Sequence, residues 1–269
     1  MPTRLTQPRR NPDASPLLLG VVHLPPLPGS PGYAGSMAGV LEAACRDAEA
    51  LIAGGMSGYV VENFGDAPFF GESVPPETIA AMARVLASLP RDHAIVGTNV
   101  LRNDARAALG LAAAFDLDFV RVNVHVGAAV TDQGLLQGRA AETLRARQAL
   151  GGQIAILADV DVKHAAPLGP PRPLSEQATE AASRGMADGL IVSGSGTGAT
   201  TSLADLQVVK AATPGTPLFV GSGLTPETAA EALSIADGAI VGTALKTGGD
   251  VKAPVDIERV RALVAAAPS

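Results

Sequence analysis

The chain has 269 residues, close to the roughly 250 typical of one (β/α)8 barrel and short of what two ordinary enzyme domains need. Hydrophobic residues make up 47% and aromatic residues only 3%, so the core must be built from Ala, Val, Leu and Ile, as in helix-wrapped parallel sheets rather than an all-β sandwich. A formal charge of −6, with pI about 5.2 and no long Lys/Arg cluster, excludes a nucleic-acid partner, and no apolar stretch approaches the roughly 18 to 20 residues that cross a bilayer; docking on a membrane surface stays open.

Residues 1–16 carry Arg9 and Arg10 among prolines and polar residues, with no apolar segment of secretory type following, and read as a flexible tail ahead of one domain over residues 17–269. From there short β-branched runs alternate with stretches of helical period, the pattern of βα units and a parallel sheet. The strands are expected at Leu17–His23, Gly58–Asn63, Ile95–Asn99, Phe119–Val124, Ile154–Asp159, Gly189–Ser193, Pro217–Gly221 and Ala239–Gly242. Helices are expected near Gly39–Ala53, Pro76–Leu89, Asp104–Phe115, Arg139–Leu150, Ser175–Arg184, Leu203–Ala212, Pro226–Ser234 and Ile257–Ala266. Eight such units close a (β/α)8 TIM barrel, while the competing doubly wound sheet lacks its Gly-rich dinucleotide fingerprint after the first strand. Cys45 is the only cysteine and reads as a small buried hydrophobe; without a partner there is no disulfide or Cys-based zinc cage, which suits a cytoplasmic location.

The long connections Pro25–Gly35, Phe64–Pro75, Val126–Gly138 and Ala165–Pro173 all follow strands and are expected as loops forming a lid over one face. Polar residues at the C-terminal strand ends converge on that face and read as functional, whereas His93, preceding the third strand, reads as structural. His23, His125 and His164 follow the first, fourth and fifth strands, and Glu62, Asn63 and Asn99 end the second and third. Alternation along a strand groups Arg121 with Asn123 and His125, and Asp159 with Asp161 and Lys163.

Together these supply a carboxylate near a cation, an imidazole that titrates near neutrality and amides to hold hydroxyls, which is what proton transfer needs. The candidate catalytic set is therefore Asp159, Lys163, His125, Glu62, His23, Arg121 and Asn123. Two readings stay open for Arg121 and Asp159, which also suit a plain ion pair inside the barrel, and for Lys163, which suits either a hydrogen bond to phosphate or carbonyl or a Schiff base. His125 alternatively bonds only a loop carbonyl. No zinc-like spacing occurs, and neither a metal nor any other cofactor is assigned, although Glu62, Asp159 and Asp161 are of the right type for a divalent ion.

The last two strands end in Gly221-Ser222-Gly223 and Gly242-Thr243, and Val192-Ser193-Gly194-Ser195-Gly196 repeats the device one strand earlier. Glycines after neighbouring strands, with a helix opening at Thr225-Pro226, let backbone N–H groups approach an anion. The expected phosphate-binding set is Gly194, Gly196, Gly221, Ser222, Gly223, Gly242 and Thr243, holding a small phosphorylated metabolite; tight βα turns are the bland alternative.

The strings GVVHLPPLPG (Gly20 to Gly29), VENFGDAPF (Val61 to Phe69), RVNVH (Arg121 to His125), TDQG (Thr131 to Gly134) and VKHA (Val162 to Ala165) resemble the BtpA/SgcQ family over about Leu17 to Asp256. The resemblance implies a phosphate-binding TIM barrel like the ribulose-phosphate-binding barrels, with family names drawn from photosystem I biogenesis and from a sugar-phosphate operon. Asp161 departs from it, standing where the family pattern commonly has a histidine. Two functions compete: an isomerase or aldolase acting on a sugar phosphate, and a non-catalytic accessory factor for assembly of a membrane complex such as photosystem I. A sensor that binds without turnover is a third, and homo-oligomerisation through the barrel helices is expected.

Overall fold

The structure is a computed structural model that describes residues 5–7, 15–162, 165–194, 196 and 198–268. In chain order its strands are β1 (Leu17–His23), β2 (Gly58–Glu62), β3 (Ile95–Asn99), β4 (Phe119–Val122), β5 (Ala128–Thr131), β6 (Gly134–Gln137), β7 (Ala155–Val160), β8 (Ala165–Pro167), β9 (Gly189–Val192), β10 (Leu218–Val220) and β11 (Gly238–Val241). The helices are α1 (Met37–Ala53), α2 (Pro76–Leu86), α3 (Ala105–Ala114), α4 (Ala140–Ala149), α5 (Leu174–Thr179), α6 (Leu203–Ala212), α7 (Pro226–Ile235) and α8 (Ile257–Ala266). A parallel barrel closes in the order β1-β11-β10-β9-β7-β4-β3-β2, the expected (β/α)8 architecture. No helix among the described residues is long and apolar enough to cross a membrane.

Strand period decides what fills the barrel. Leu17, Leu19 and Val21 of β1 join Val60, Phe119, Leu157, Ile191, Phe219 and Ile240 in one buried interior cluster. The alternate residues, among them Leu18, Val22, Val61, Val120, Ile156, Leu190 and Val220, pack outward in a second cluster against the helices. Two phenylalanines do most of the filling, and glycines make room for them: a Cβ on Gly97 would overlap the Phe119 ring, and one on Gly238 the Phe219 ring. This is how a chain with few aromatics fills a barrel interior. Burying each such side chain stabilises by about 1.5 to 3 kcal/mol.

Helix starts follow the chain's own capping residues. Ser36 Oγ accepts from Gly39 N, Asp104 Oδ1 from Ala107 N and Ser202 Oγ from Asp205 N, so orphan N–H groups of α1, α3 and α6 are satisfied locally. Proline opens α2 and α7. α5 continues through Glu180–Arg184 as a π-helical turn, within the single helix expected for Ser175–Arg184.

Three expectations need correction. Leu5 is 1% exposed and belongs to the interior cluster with Leu17, so residues 1–16 are not wholly a flexible tail. Parts of two expected lid loops are strands: β6, β5 and β8 form a three-stranded antiparallel sheet, with Val130 registered against both Leu135 and Ala166. Each strand is only three or four residues long and includes Ala, Gly or Pro, which are poor strand formers, so the segments read as loops. Cys45 is partly rather than fully buried, with its Sγ bonded to the Ser88 carbonyl at 3.5 Å.

Candidate active site

Above the last apolar layer, the same strand period places polar residues on the barrel axis. His23 of β1 is registered with Glu62 of β2, and Glu62 with Asn99 of β3, so three polar side chains stand in one row across adjacent strands. Beside them Arg121 rises two residues beyond Phe119 on β4. These side chains, with Asn123, line one part of a cavity of about 510 Å³ at the C-terminal mouth. Another part is lined by Gly221, Ser222 and Gly223 after β10 and by Gly242, Thr243 and Ala244 after β11. The volume falls within the range of small-molecule sites.

Arg121 is 5% exposed and organises the floor. Its Nε and Nη2 donate to Asp159 Oδ2 and Oδ1 at 3.1 and 2.9 Å, and Nη1 donates to Glu62 Oε1 at 3.3 Å. Burial alone would lower its pKa, but Asp159 and then Glu62 outweigh burial and hold it above the ordinary arginine value. Asn99 Nδ2 donates to Glu62 Oε1 at 3.1 Å, and Asn123 Nδ2 to Asp159 Oδ2 at 2.6 Å. The ion pair read as one option for Arg121 and Asp159 is thus present. Asp159, its side chain 1% exposed, is not among the cavity-lining residues; it holds Arg121 and Asn123, which are.

His125 is also placed away from the cavity. β4 ends at Val122, and the Asn103 side chain clamps the next turn, accepting from Val124 N at 2.8 Å and donating to Val124 O at 3.0 Å. Beyond that clamp the alternation that groups Arg121 and Asn123 no longer carries to His125. Its Nε2 instead meets the Gly185 carbonyl at 2.8 Å, and burial holds its pKa below the ordinary value, partly offset by that bond. Asn63, one residue out of phase with Glu62, likewise turns away and bonds Asp66 and the Leu101 backbone. Lys163 and His164 lie outside the described residues, as do Ser195 and Thr197.

Serine and glycine chemistry builds the opposite wall. Ser222 Oγ accepts from Gly194 N at 2.8 Å and donates to Ala199 O at 3.0 Å, while Thr201 Oγ1 donates to Ser222 O at 2.9 Å. These bonds fasten the β9 loop onto the β10 turn. Gly223 sits at φ +67°, and a Cβ there would overlap the Ala199 carbonyl oxygen, so the close approach of the two loops requires glycine. Of the other expected glycines, Gly194 N donates to Ser222 and Gly196 O accepts from Ala199 N, and neither is among the residues lining the cavity. Gly198 is, next to Thr243.

Several lining residues were not singled out from sequence. Phe64 stacks against His23 at 4.6 Å between ring centroids and neighbours Phe69 at 6.4 Å, giving the cavity an apolar flank. Arg102 follows β3 and is 7% exposed; burial lowers its pKa, with Asp159 the largest opposing influence. Asp132 comes from the two-residue turn between β5 and β6, so the lid sheet contributes directly to the cavity. The TDQG string held the only hint of it. Among the described residues no cluster of three His, Cys, Asp or Glu side chains is placed to hold a metal ion.

A family model described as the BtpA family matches residues 14–269. This chain belongs to the BtpA family. Photosystem I biogenesis protein BtpA of Synechocystis is 45% identical over 250 residues, covering 93% of this chain and 87% of that one. BtpA-family membership extends the comparison to an Archaeoglobus fulgidus protein, 43% identical with 93% and 98% covered, and to a mitochondrial protein of Caenorhabditis elegans, 33% identical with 91% and 90% covered. Among solved structures, phosphoribosyl anthranilate isomerase from Thermus thermophilus superposes with TM-score 0.56 at 16% identity, covering 93% of this chain and 97% of that one. A structure described as native KDPGal superposes with TM-score 0.54 at 15% identity, with 93% of each chain covered. At such identities the BtpA-family chain shares with them the TIM-barrel fold.

Proposed function

We propose that this BtpA-family barrel is an enzyme that binds a small phosphorylated metabolite, a sugar phosphate, and catalyses an isomerase- or aldolase-type reaction at its C-terminal mouth. The observation that carries this reading is the single cavity flanked by glycine turns after β10 and β11 on one side and by Glu62 and His23 on the other. The turns after the last two strands of a TIM barrel recurrently cradle phosphate, because glycine lets backbone N–H groups come close to its oxygens.

With phosphate so held, the rest of the ligand extends toward Glu62 and His23, neighbours across the β1–β2 pair. Isomerisation moves a proton between adjacent carbons, and aldol cleavage removes one from a hydroxyl; both need a base and an acid within reach of the same ligand. Glu62 suits the base, since both its hydrogen bonds land on Oε1, and His23 the second proton carrier. Arg121 and Asp159 are positioning residues that fix Glu62.

The test is thermal unfolding of the full chain with a panel of sugar phosphates, the same sugars without phosphate, and inorganic phosphate. A ligand at about 100 times its Kd stabilises by about 2.7 kcal/mol, expected to raise the melting temperature by about 5 °C or more. Thr243→Asp, which adds a negative charge where phosphate would lie, should abolish that rise. No rise with any phosphorylated compound would refute the reading.

The name of the Synechocystis relative favours a second reading, a non-catalytic accessory factor for a membrane complex. The outer row of the lid sheet suits such a role, with Val130 43%, Leu135 45% and, beyond β8, Leu168 64% exposed. A relative in a nematode, an animal without photosystems, argues against that role as the family's common activity. Under the second reading Glu62→Gln is harmless in cells while Val130→Asp is not; under the first the order is reversed.

A further inference from the structure

A second cavity, of about 320 Å³, lies beside the first at the C-terminal mouth, between the loops that follow β1 and β2. Phe69 and Leu101 line both cavities, so these two side chains form a wall common to them. A line of rings leads to that wall from the glycine turns. A Cβ on Gly242 would lie 2.8 Å from His23 Cε1, the His23 and Phe64 rings are 4.6 Å apart between centroids, and Phe64 and Phe69 are 6.4 Å apart. A ligand with its phosphate at the turns and its sugar against Glu62 and His23 extends along these rings toward Phe69.

The chemistry of the side cavity indicates what would enter it. Asp66 accepts from Leu27 N at 2.8 Å and from Asn63 Nδ2 at 3.1 Å, and Asn63 Oδ1 accepts from Leu101 N at 2.7 Å. These two polar residues are engaged in fastening the three loops together. Ser30 and Thr78 add single hydroxyls, which can orient a ligand but not answer a charge. The remaining surface is rings and aliphatic carbon, chiefly Phe69, Phe70, Val74, Pro31, Pro68 and Pro75. Flat apolar walls with a few hydroxyls suit an aromatic ring. Such a ring entering beside Phe70, which is 58% exposed, would also take that side chain out of water. Resting on the phosphate reading, we infer that the substrate carries an aromatic substituent at the end remote from its phosphate and that this ring occupies the side cavity.

Titration calorimetry on the full chain tests this with two pairs of compounds, ribose 5-phosphate against adenosine 5′-monophosphate and glucose 6-phosphate against phenyl β-glucoside 6-phosphate, with inorganic phosphate alongside. In at least one pair the ring-bearing member should bind about tenfold tighter or more, because a ring brings a large apolar area out of water. Val74→Trp, which fills the side cavity, should remove that advantage. Phe70→Ala, which strips one wall at an exposed position and so leaves folding intact, should reduce it by about threefold or more. Ring-bearing compounds that bind no tighter than their bare partners, or an advantage that survives both substitutions, overturn the ring site while phosphate recognition stands. If no phosphorylated compound binds, inorganic phosphate included, the phosphate reading falls and the ring site with it.

Discussion

Arg121 and His125 lie four residues apart, and the surroundings of each, rather than its chemistry, decide its use. Arg121 is buried, but Asp159 meets it with two bonds and Glu62 with a third, so its charge is answered in place. His125 is 1% exposed, and burial favours its neutral form despite the opposing pull of the Gly185 carbonyl, to which Nε2–H donates. Its folded pKa lies below the ordinary 6.5, so the unfolded chain binds the proton more readily. Its contribution to stability is therefore present above about pH 6.5 and lost as pH falls from there through the lower folded value, by at most about 1.4 kcal/mol per pH unit. Urea unfolding between pH 7 and 5 should show a steeper loss in the unaltered protein than in His125→Gln, which retains a donor for Gly185 but does not titrate. Equal pH slopes would mean that His125 is not held neutral. Nothing in the residues before His125 signalled this, because the clamp that ends β4 comes from Asn103, on another connection.

The elements themselves were legible wherever a run was long or punctuated. β1, β3 and α6 begin and end where period and capping residues placed them, and β4, β7 and β9 to within two residues. The lid sheet was not, since its pairing depends on β8, which follows β5 only after β6, α4 and β7 have intervened. The loops at the mouth show the same limit. That Gly221, Ser222 and Gly223 form a turn follows from the residues, but that Ser222 ties Gly194 and Ala199 follows only from β9 and β10 being neighbours. Gly223→Ala probes that packing: a Cβ at φ +67° against the Ala199 carbonyl should cost about 1 to 3 kcal/mol in denaturant unfolding. It should also weaken inorganic phosphate binding by displacing the β9 loop. Unchanged stability would show that the two loops can separate freely.

At the scale of the whole molecule, the barrel is stacked along its axis: apolar layers led by Phe119 and Phe219, then the charged row, then a lid that contributes Asp132. Leu5, from before β1, completes the apolar layers. Leu5→Ala should therefore destabilise by about 2 to 5 kcal/mol in urea unfolding, as for a buried leucine, whereas a flexible tail would give no change. The sequence by itself determined the eight βα units, the inward and outward faces of each strand and the glycine turns, because periodicity and turn chemistry are local properties of the chain. Tertiary structure alone decided that Asp159 supports Arg121 beneath the cavity, that His125 leaves it and that Arg102 and Asp132 enter it. Each of those outcomes depends on which strands and loops become neighbours when the barrel closes, and no short stretch of residues carries that information.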